Sequence, residues 1–367
     1  MRWPLPSRPG SWTEPGGLPG GSAAVRSPTP VTDSCGPLSR LPLTLACGPY
    51  DRTEALRNGV VQPEGIDLLY VPIQSPPELF ARMVHKTSFD AAEMSLSLYL
   101  QLRSRGDFPF VALPVFPSRM FRHSYVFVSP DAGIDSPADL AGKRIGVQEY
   151  HQTAGVWIRG ILSQSYGVDF SGVSWFEGGV NAPRQPDPAI DLRPAEDLDI
   201  TFIGTDSCLD EWLAAGRIDA YLGARSPRSF RPGGPVRRLF RDARAEERSW
   251  YRQTGVFPIM HTLVVREELL DRHPWIAETL FKAFEAAKRW CLEQMRFSGS
   301  SRYTLPWLHA ALEEVDELFG GDPWPYGVDR NRAALEMLAG FLVSQRFVAA
   351  APSVDAMFVP IVLPHNE

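Results

Sequence analysis

Short apolar runs alternate with segments of helical periodicity along most of this chain. Residues 43–47 (LTLAC) and 66–71 (IDLLYV) read as buried strands, and residues 53–58 between them as a short helix stopped at Gly59. Residues 76–85 space Leu79, Phe80 and Met83 for a helix; 89–95 read as a strand running into a turn, then a helix through Leu102, then a strand at 110–114. This β-α-β-α-β alternation predicts an α/β sheet with parallel strands. A second unit of the same kind follows. Strands are expected at 125–129, 144–147, 173–176, 200–203 and 218–223, with a helical turn at 136–143, a helix starting near Thr153 and another at 207–215. Residues 181–197, rich in Pro and Asp, read as an exposed loop, and the apolar segment 256–265 as a crossing back to the first unit. Residues 274–297 put Ile276, Leu280, Ala283, Phe284, Ala287 and Trp290 on one helical face, and 305–319 and 330–345 read as further helices.

These elements predict two α/β lobes with a cleft between them: residues 43–123 in the first lobe, 124–254 in the second, and 255–367 as the return to the first lobe with C-terminal helices. Residues 1–42 read as a disordered extension rich in Pro and Gly. Open α/β sheets bind ligands beyond the carboxyl ends of their strands. That rule selects residues 48–53, 93–97, 148–153 and the region after Gly223.

Composition narrows the function classes. A net charge of -6 with no strongly basic tract argues against nucleic acid as a partner. No apolar stretch is long enough to span a membrane, and residues 1–42 lack the apolar core of a signal peptide, so a cytoplasmic location is expected. Cys35, Cys47, Cys208 and Cys291 lie far apart without ligand spacing, which points to free thiols in place of a zinc site or a disulfide framework. No metal and no organic cofactor is expected.

The densest candidate chemistry is residues 116–123 (FPSRMFRH), where Arg119, Arg122 and His123 stand among apolar and turn-forming residues. A buried guanidinium needs an anionic or hydrogen-bonding partner, its planar fork matches a carboxylate, and an imidazole exchanges protons near neutral pH. The same side chains also suit internal ion pairs and a core histidine. His261, within FPIMHT, is either a satisfied core histidine or a second proton donor near His123 at the hinge. Tyr50 and Arg52 occupy the first strand-to-helix loop. Ser95 and Ser97 stand at a helix start, as caps or as ligand contacts. Glu149 and Thr153 precede a helix whose N-terminal N–H groups suit an anion, with Thr153 as its N-cap. Arg225 is a third candidate clamp. Trp157 and Arg159 read as packing or a surface ion pair.

The ordered series GPYDRT, FDAAEMSLSLYL, PVFPSRMFRHSYVFV, DLAGKRIGVQEYHQTAGVWIRGIL, TGVFPIMHTLVVR and DPWPYG resembles the 4,5-dihydroxyphthalate decarboxylase family, from Leu43 to about Gln345. FPSRMFRHS, EYHQTAGVWIRG and FPIMHT carry most of the likeness, whereas DLAGKRIGV occurs in many type II periplasmic-binding-protein folds. The resemblance implies a two-lobed fold of that type with a central cleft and added C-terminal helices. It also implies non-oxidative decarboxylation of a dihydroxylated aromatic diacid, most simply 4,5-dihydroxyphthalate to 3,4-dihydroxybenzoate and CO2. His123 or His261 would then be the general acid and Glu149 would act on a ring hydroxyl. Tyr50, Arg52, Ser95, Ser97, Arg119, Arg122, Thr153 and Arg225 would hold a small anionic aromatic substrate. A homo-oligomer is compatible with the sequence. The rival reading is the solute-binding component of a transporter for an aromatic acid or similar anion, because fold does not fix function.

Overall fold

The computed structural model describes residues 40–106, 108–187, 190, 192–194 and 198–361. Most of the expected N-terminal extension, Cys35 and His365 lie outside the described residues, as does part of the expected 181–197 loop.

Two sheets organise the chain. The first contains β1 (Leu41–Cys47), β2 (Ile66–Pro72), β3 (Ala91–Ser95), β4 (Phe110–Arg119) and β11 (Ile259–Arg266), in the order β2-β1-β3-β11-β4. The second contains β5 (Val126–Val128), β6 (Arg144–Val147), β7 (Ser174–Glu177), β8 (Ile200–Phe202), β9 (Ala220–Leu222) and β10 (Arg237–Arg238), in the order β10-β5-β9-β6-β7-β8. The expectation of parallel strands fails at the crossings. β11 returns from the second sheet and runs antiparallel to both β3 and β4, and β5 runs antiparallel to β9. A chain that leaves one sheet and re-enters it from the opposite end reverses direction on re-entry.

The strand expected at 110–114 continues to Arg119, through Pro114 and Pro117. Proline removes a ladder donor and is tolerated at an edge; β4 is an edge strand. Arg237 and Arg238 form the short edge strand β10, antiparallel to β5.

The helix Thr153–Tyr166 joins the two halves. Ala154, Val156, Trp157 and Ile161 pack into the core around the first sheet, while Ile158 and Leu162 pack into the core around the second. Trp157 Nε1 donates to Ile259 O at 2.9 Å, tying this helix to β11. At Gly160 a β-carbon would lie 2.2 Å from the Phe341 ring, so only glycine admits the close crossing of the helix Arg332–Ser344. Among the described residues no helix is long and apolar enough to cross a membrane.

Candidate active site

The site is built around a carboxylate inside a strand. Glu93 on β3 is wholly buried. In the antiparallel register it faces Leu263 of β11, while His261 faces Ser95. Glu93 and His261 are therefore diagonal neighbours on one face of the sheet, within side-chain reach. Glu93 Oε1 lies 2.5 Å from His261 Nδ1 and accepts from the Tyr50 hydroxyl at 2.6 Å; Oε2 accepts from the Gly48 N–H at 2.8 Å and the Cys47 thiol at 3.4 Å. Burial alone would raise the Glu93 pKa. The His261 charge and the hydrogen bonds from His261, Tyr50 and the Gly48 N–H outweigh it and hold this carboxyl below its ordinary range. An ionised carboxylate only accepts hydrogen bonds, so Nδ1 of His261 carries a proton and Nε2 is left for other partners. Burial, and then the Glu93 charge, raise the Tyr50 phenol and keep it a donor. Gly48 is required here, since a β-carbon would sit 2.6 Å from the Tyr50 ring.

His261 and Tyr50 open on a cavity of about 300 Å³ between the two sheets. Phe80, Leu98, Met120, Ile190 and Met260 form its apolar wall, and Arg122, Glu149, His151, Arg184 and Arg225 its charged one. Arg122 is buried where the chain leaves β4. Its Nε donates to Met260 Sδ at 3.1 Å, its guanidinium lies 5.2 Å from the Tyr125 ring centroid, and Nη1 has no hydrogen-bond partner among the described residues. Burial pushes its pKa down to about 10. A desolvated guanidinium of this kind is stabilised by an incoming anion. Arg225 is exposed at the cavity edge.

Glu149 and His151 come from the turn after β6, at the carboxyl end of that strand. Arg184 Nη1 meets Glu149 Oε1 at 2.5 Å and Nη2 donates to Gln148 O at 2.9 Å; His151 Nε2 lies 3.9 Å from Glu149 Oε2. Thr153 does not cap its helix: the capping position is Gln152. Thr153 Oγ1 instead lies 2.7 Å from both Ser95 Oγ and Ser97 Oγ, bridging from the second half of the molecule to the first. Ser95 and Thr153 line the cavity; Ser97 is fully buried behind them and donates to His151 O at 3.2 Å.

Three expected site residues point elsewhere. Arg119 is buried outside the cavity, where Nη1 donates to Phe257 O at 3.1 Å and Nη2 to Pro325 O at 2.7 Å and to Asn331 Oδ1. Its guanidinium pins the C-terminal segment to β4. Arg52 turns away from the cavity, donating from Nε to Pro117 O at 2.6 Å and lying between the rings of Tyr50 and Trp324. His123 sits in a box of Tyr166, Phe240 and Trp250, with neither ring nitrogen hydrogen-bonded among the described residues. Arg159, expected on the surface or in packing, is wholly buried. Conversely, the sequence does not single out Glu93 or the cavity-lining His151, Arg184 and Asp187. The first two lay inside windows that the strand-end rule had selected, 93–97 and 148–153; Arg184 and Asp187 belong to a segment whose Pro and Asp content reads as plain loop.

Two α/β halves around an anion-receptive cavity define the class: a periplasmic-binding-protein fold. Solved structures agree at the level of fold. The periplasmic aliphatic sulphonate binding protein of Escherichia coli matches 87% of this chain and 98% of its own with a TM-score of 0.50 at 11% identity. A Bordetella bronchiseptica protein matches 88% of this chain and 95% of its own with a TM-score of 0.50 at 18% identity. No family model matches the sequence. Among curated proteins, the 4,5-dihydroxyphthalate decarboxylase of Comamonas testosteroni is 41% identical over 295 residues, 80% of this chain and 89% of that protein. The 4,5-dihydroxyphthalate decarboxylase of Pseudomonas putida is 39% identical over 204 residues, 55% of this chain and 78% of that protein. The chain belongs to the 4,5-dihydroxyphthalate decarboxylase family.

Proposed function

We propose that this chain is a carboxy-lyase that converts 4,5-dihydroxyphthalate to 3,4-dihydroxybenzoate and CO2 without an oxidant. One observation carries the reading beyond the family: His261, paired with the buried Glu93, lines the same cavity as the buried Arg122, whose Nη1 has no hydrogen-bond partner among the described residues. Proton chemistry and carboxylate recognition thus share one small, largely apolar space.

The chemistry follows from the substrate. Each carboxylated carbon of the ring stands para to a hydroxyl. Glu149, or His151 beside it, draws the proton from that hydroxyl, and the oxygen pushes its electron pair toward the carbon. Nε2 of the His261 imidazolium delivers a proton there, with Glu93 as its counter-charge. The carbon–carboxylate bond then breaks, its electrons restore the aromatic ring, CO2 leaves and the phenolate recovers its proton. His261 takes a new proton from water. Arg122 holds the carboxylate that stays. Clamping the departing group as tightly would oppose its loss, which suits the exposed Arg225. General acid–base help is worth roughly 10²- to 10⁴-fold, and the apolar wall strengthens each charge interaction by excluding water. The reaction is placed in the cytoplasm as part of the same proposal; Cys47, Cys208 and Cys291 are free thiols, in keeping with a reducing compartment.

The test is direct. Purified chain incubated with 4,5-dihydroxyphthalate should release CO2 and 3,4-dihydroxybenzoate catalytically. Stoichiometric binding without turnover would replace the enzyme with a solute-binding protein.

A further inference from the structure

Glu149 and His151 line the cavity, and the residue between them faces the other way. Tyr150 packs its ring against Trp175 at 5.1 Å and Phe347 at 5.8 Å between centroids. Its backbone is held on both sides: the N–H donates to Glu177 Oε1 at 2.5 Å, and the carbonyl accepts from Arg159 Nη2 at 2.7 Å. Arg159 also lies over the Tyr150 ring, 3.8 Å from its centroid, and Nε donates to Gln345 Oε1 at 2.9 Å. The Gln345 amide donates in turn to Val156 O at 2.9 Å, fixing it against the helix that carries Arg159.

Arg159 is wholly buried, forms no salt bridge with a described carboxylate, and leaves Nη1 without a hydrogen-bond partner among the described residues. A buried cation in this state costs stability that a packed apolar side chain would not. Its geometry offers a reason for it. A planar fork that grips one carbonyl and lies flat on the same residue's ring fixes both the position and the rotation of residue 150. Glu149 and His151 flank residue 150 in a tight turn closed by Gln152 N–H to Glu149 O at 3.2 Å, so fixing residue 150 also fixes where they point.

We propose that Arg159 is a positioning residue for the end of the cavity that reads the ring hydroxyls: it touches no substrate, and it aims Glu149 and His151 through Tyr150. The identity of the ligand rests on the proposed function; the aiming does not. An open hollow of about 970 Å³ on the far side of this turn is lined by Arg159, Tyr150 and Gln345. A small guanidinium compound can therefore reach position 159 from solvent once the side chain is shortened.

The experiment compares the full chain with Arg159→Ala and Gln345→Leu. Binding of 4,5-dihydroxyphthalate and of phthalate, which lacks the hydroxyls, is measured by calorimetry with and without millimolar methylguanidinium, beside turnover and thermal unfolding. Arg159→Ala should bind 4,5-dihydroxyphthalate about tenfold more weakly, the loss of one or two hydrogen bonds, and phthalate within about twofold. Methylguanidinium should recover part of that gap, and kcat should fall by up to about 10²-fold. Gln345→Leu should show the same selectivity at smaller amplitude, and it carries the test if Arg159→Ala does not fold. Equal loss for both ligands, or loss for neither, overturns the proposal. If the unaltered chain binds the diacid without decarboxylating it, the enzymatic reading falls, and the binding selectivity still decides the role of Arg159.

Discussion

His123 and His261 present the same side chain in opposite settings. His261 stands on a central strand, its Nδ1 paired at 2.5 Å with a buried carboxylate and its ring on the wall of a cavity. His123 stands at the first crossing, boxed by three aromatic rings, with no hydrogen bond to either nitrogen among the described residues and its pKa pushed down to about 4 by burial. The two adjoining arginines divide in the same way. Arg119 lies outside the cavity and spends both terminal nitrogens on two carbonyls and Asn331, whereas Arg122 lines the cavity with an Nη1 that has no hydrogen-bond partner among the described residues. Residue type marks a segment as capable of chemistry; the partners that surround it decide whether the capability serves a ligand or the fold.

The largest effect should come from the cavity histidine. His261→Asn should lower turnover on the order of 10²- to 10⁴-fold, the range for removing a general acid, with the melting temperature little changed. Glu93→Gln, which keeps an acceptor for Nδ1 but removes the counter-charge, should fall in the same direction. The rate of CO2 release from 4,5-dihydroxyphthalate measures both. Wild-type rates in His261→Asn would remove this residue from the mechanism.

A smaller effect is expected at Arg122, and on binding more than on stability. Arg122→Met should weaken affinity for phthalate by about 1.5–3 kcal/mol, roughly ten- to a hundredfold. The same change removes a desolvated charge with an unpaired Nη1, so the melting temperature should hold or rise. Calorimetry and thermal unfolding on one preparation separate the two. A variant that loses stability while keeping affinity would assign Arg122 to the scaffold, alongside Arg119.

Much of this arrangement was legible in the sequence. The alternation of strands and helices, the return of residues 256–265 to the first sheet, and the windows that hold Tyr50, Ser95, Glu149, Thr153 and Arg225 follow from periodicity and from where strands end, whereas His261 stands outside those windows on an antiparallel strand. What was not legible depends on neighbours remote in sequence. Arg119 finds its acceptors at Phe257, Pro325 and Asn331, and no local pattern announces a partner about two hundred residues away. Glu93 was hidden for a different reason. A lone carboxylate in an apolar strand is costly unless paired, which is itself a signal, but its partner His261 lies 168 positions further on. Reading every polar residue inside a buried strand as half of a pair would have found both.

The smallest effect on turnover is expected at His123, where it should be absent, and the change should appear in acid stability. Burial lowers this imidazole from 6.5 to about 4. Between those values the unfolded chain takes up a proton that the folded chain refuses, so stability declines as pH falls from 6.5 toward 4. The difference in pKa corresponds to roughly 3 kcal/mol across the whole window. Glu93 acts lower on the scale: its folded pKa lies below the ordinary carboxyl value of 4.5, so its contribution is lost only beneath that value. Glu247, whose carboxyl is raised mainly by burial, works with the opposite sign and cancels in a comparison of variant with wild type. His123→Phe fits the box formed by Tyr166, Phe240 and Trp250 and has nothing to titrate. It should be more stable than the wild type at pH 8, because two unpaired buried nitrogens are gone. Its advantage should widen at pH 5, while decarboxylation per folded molecule stays the same. Urea unfolding at the two pH values, with CO2 release as the control, decides the matter. A loss of turnover without loss of fold would make His123 the proton donor after all and reverse the assignment of the two histidines.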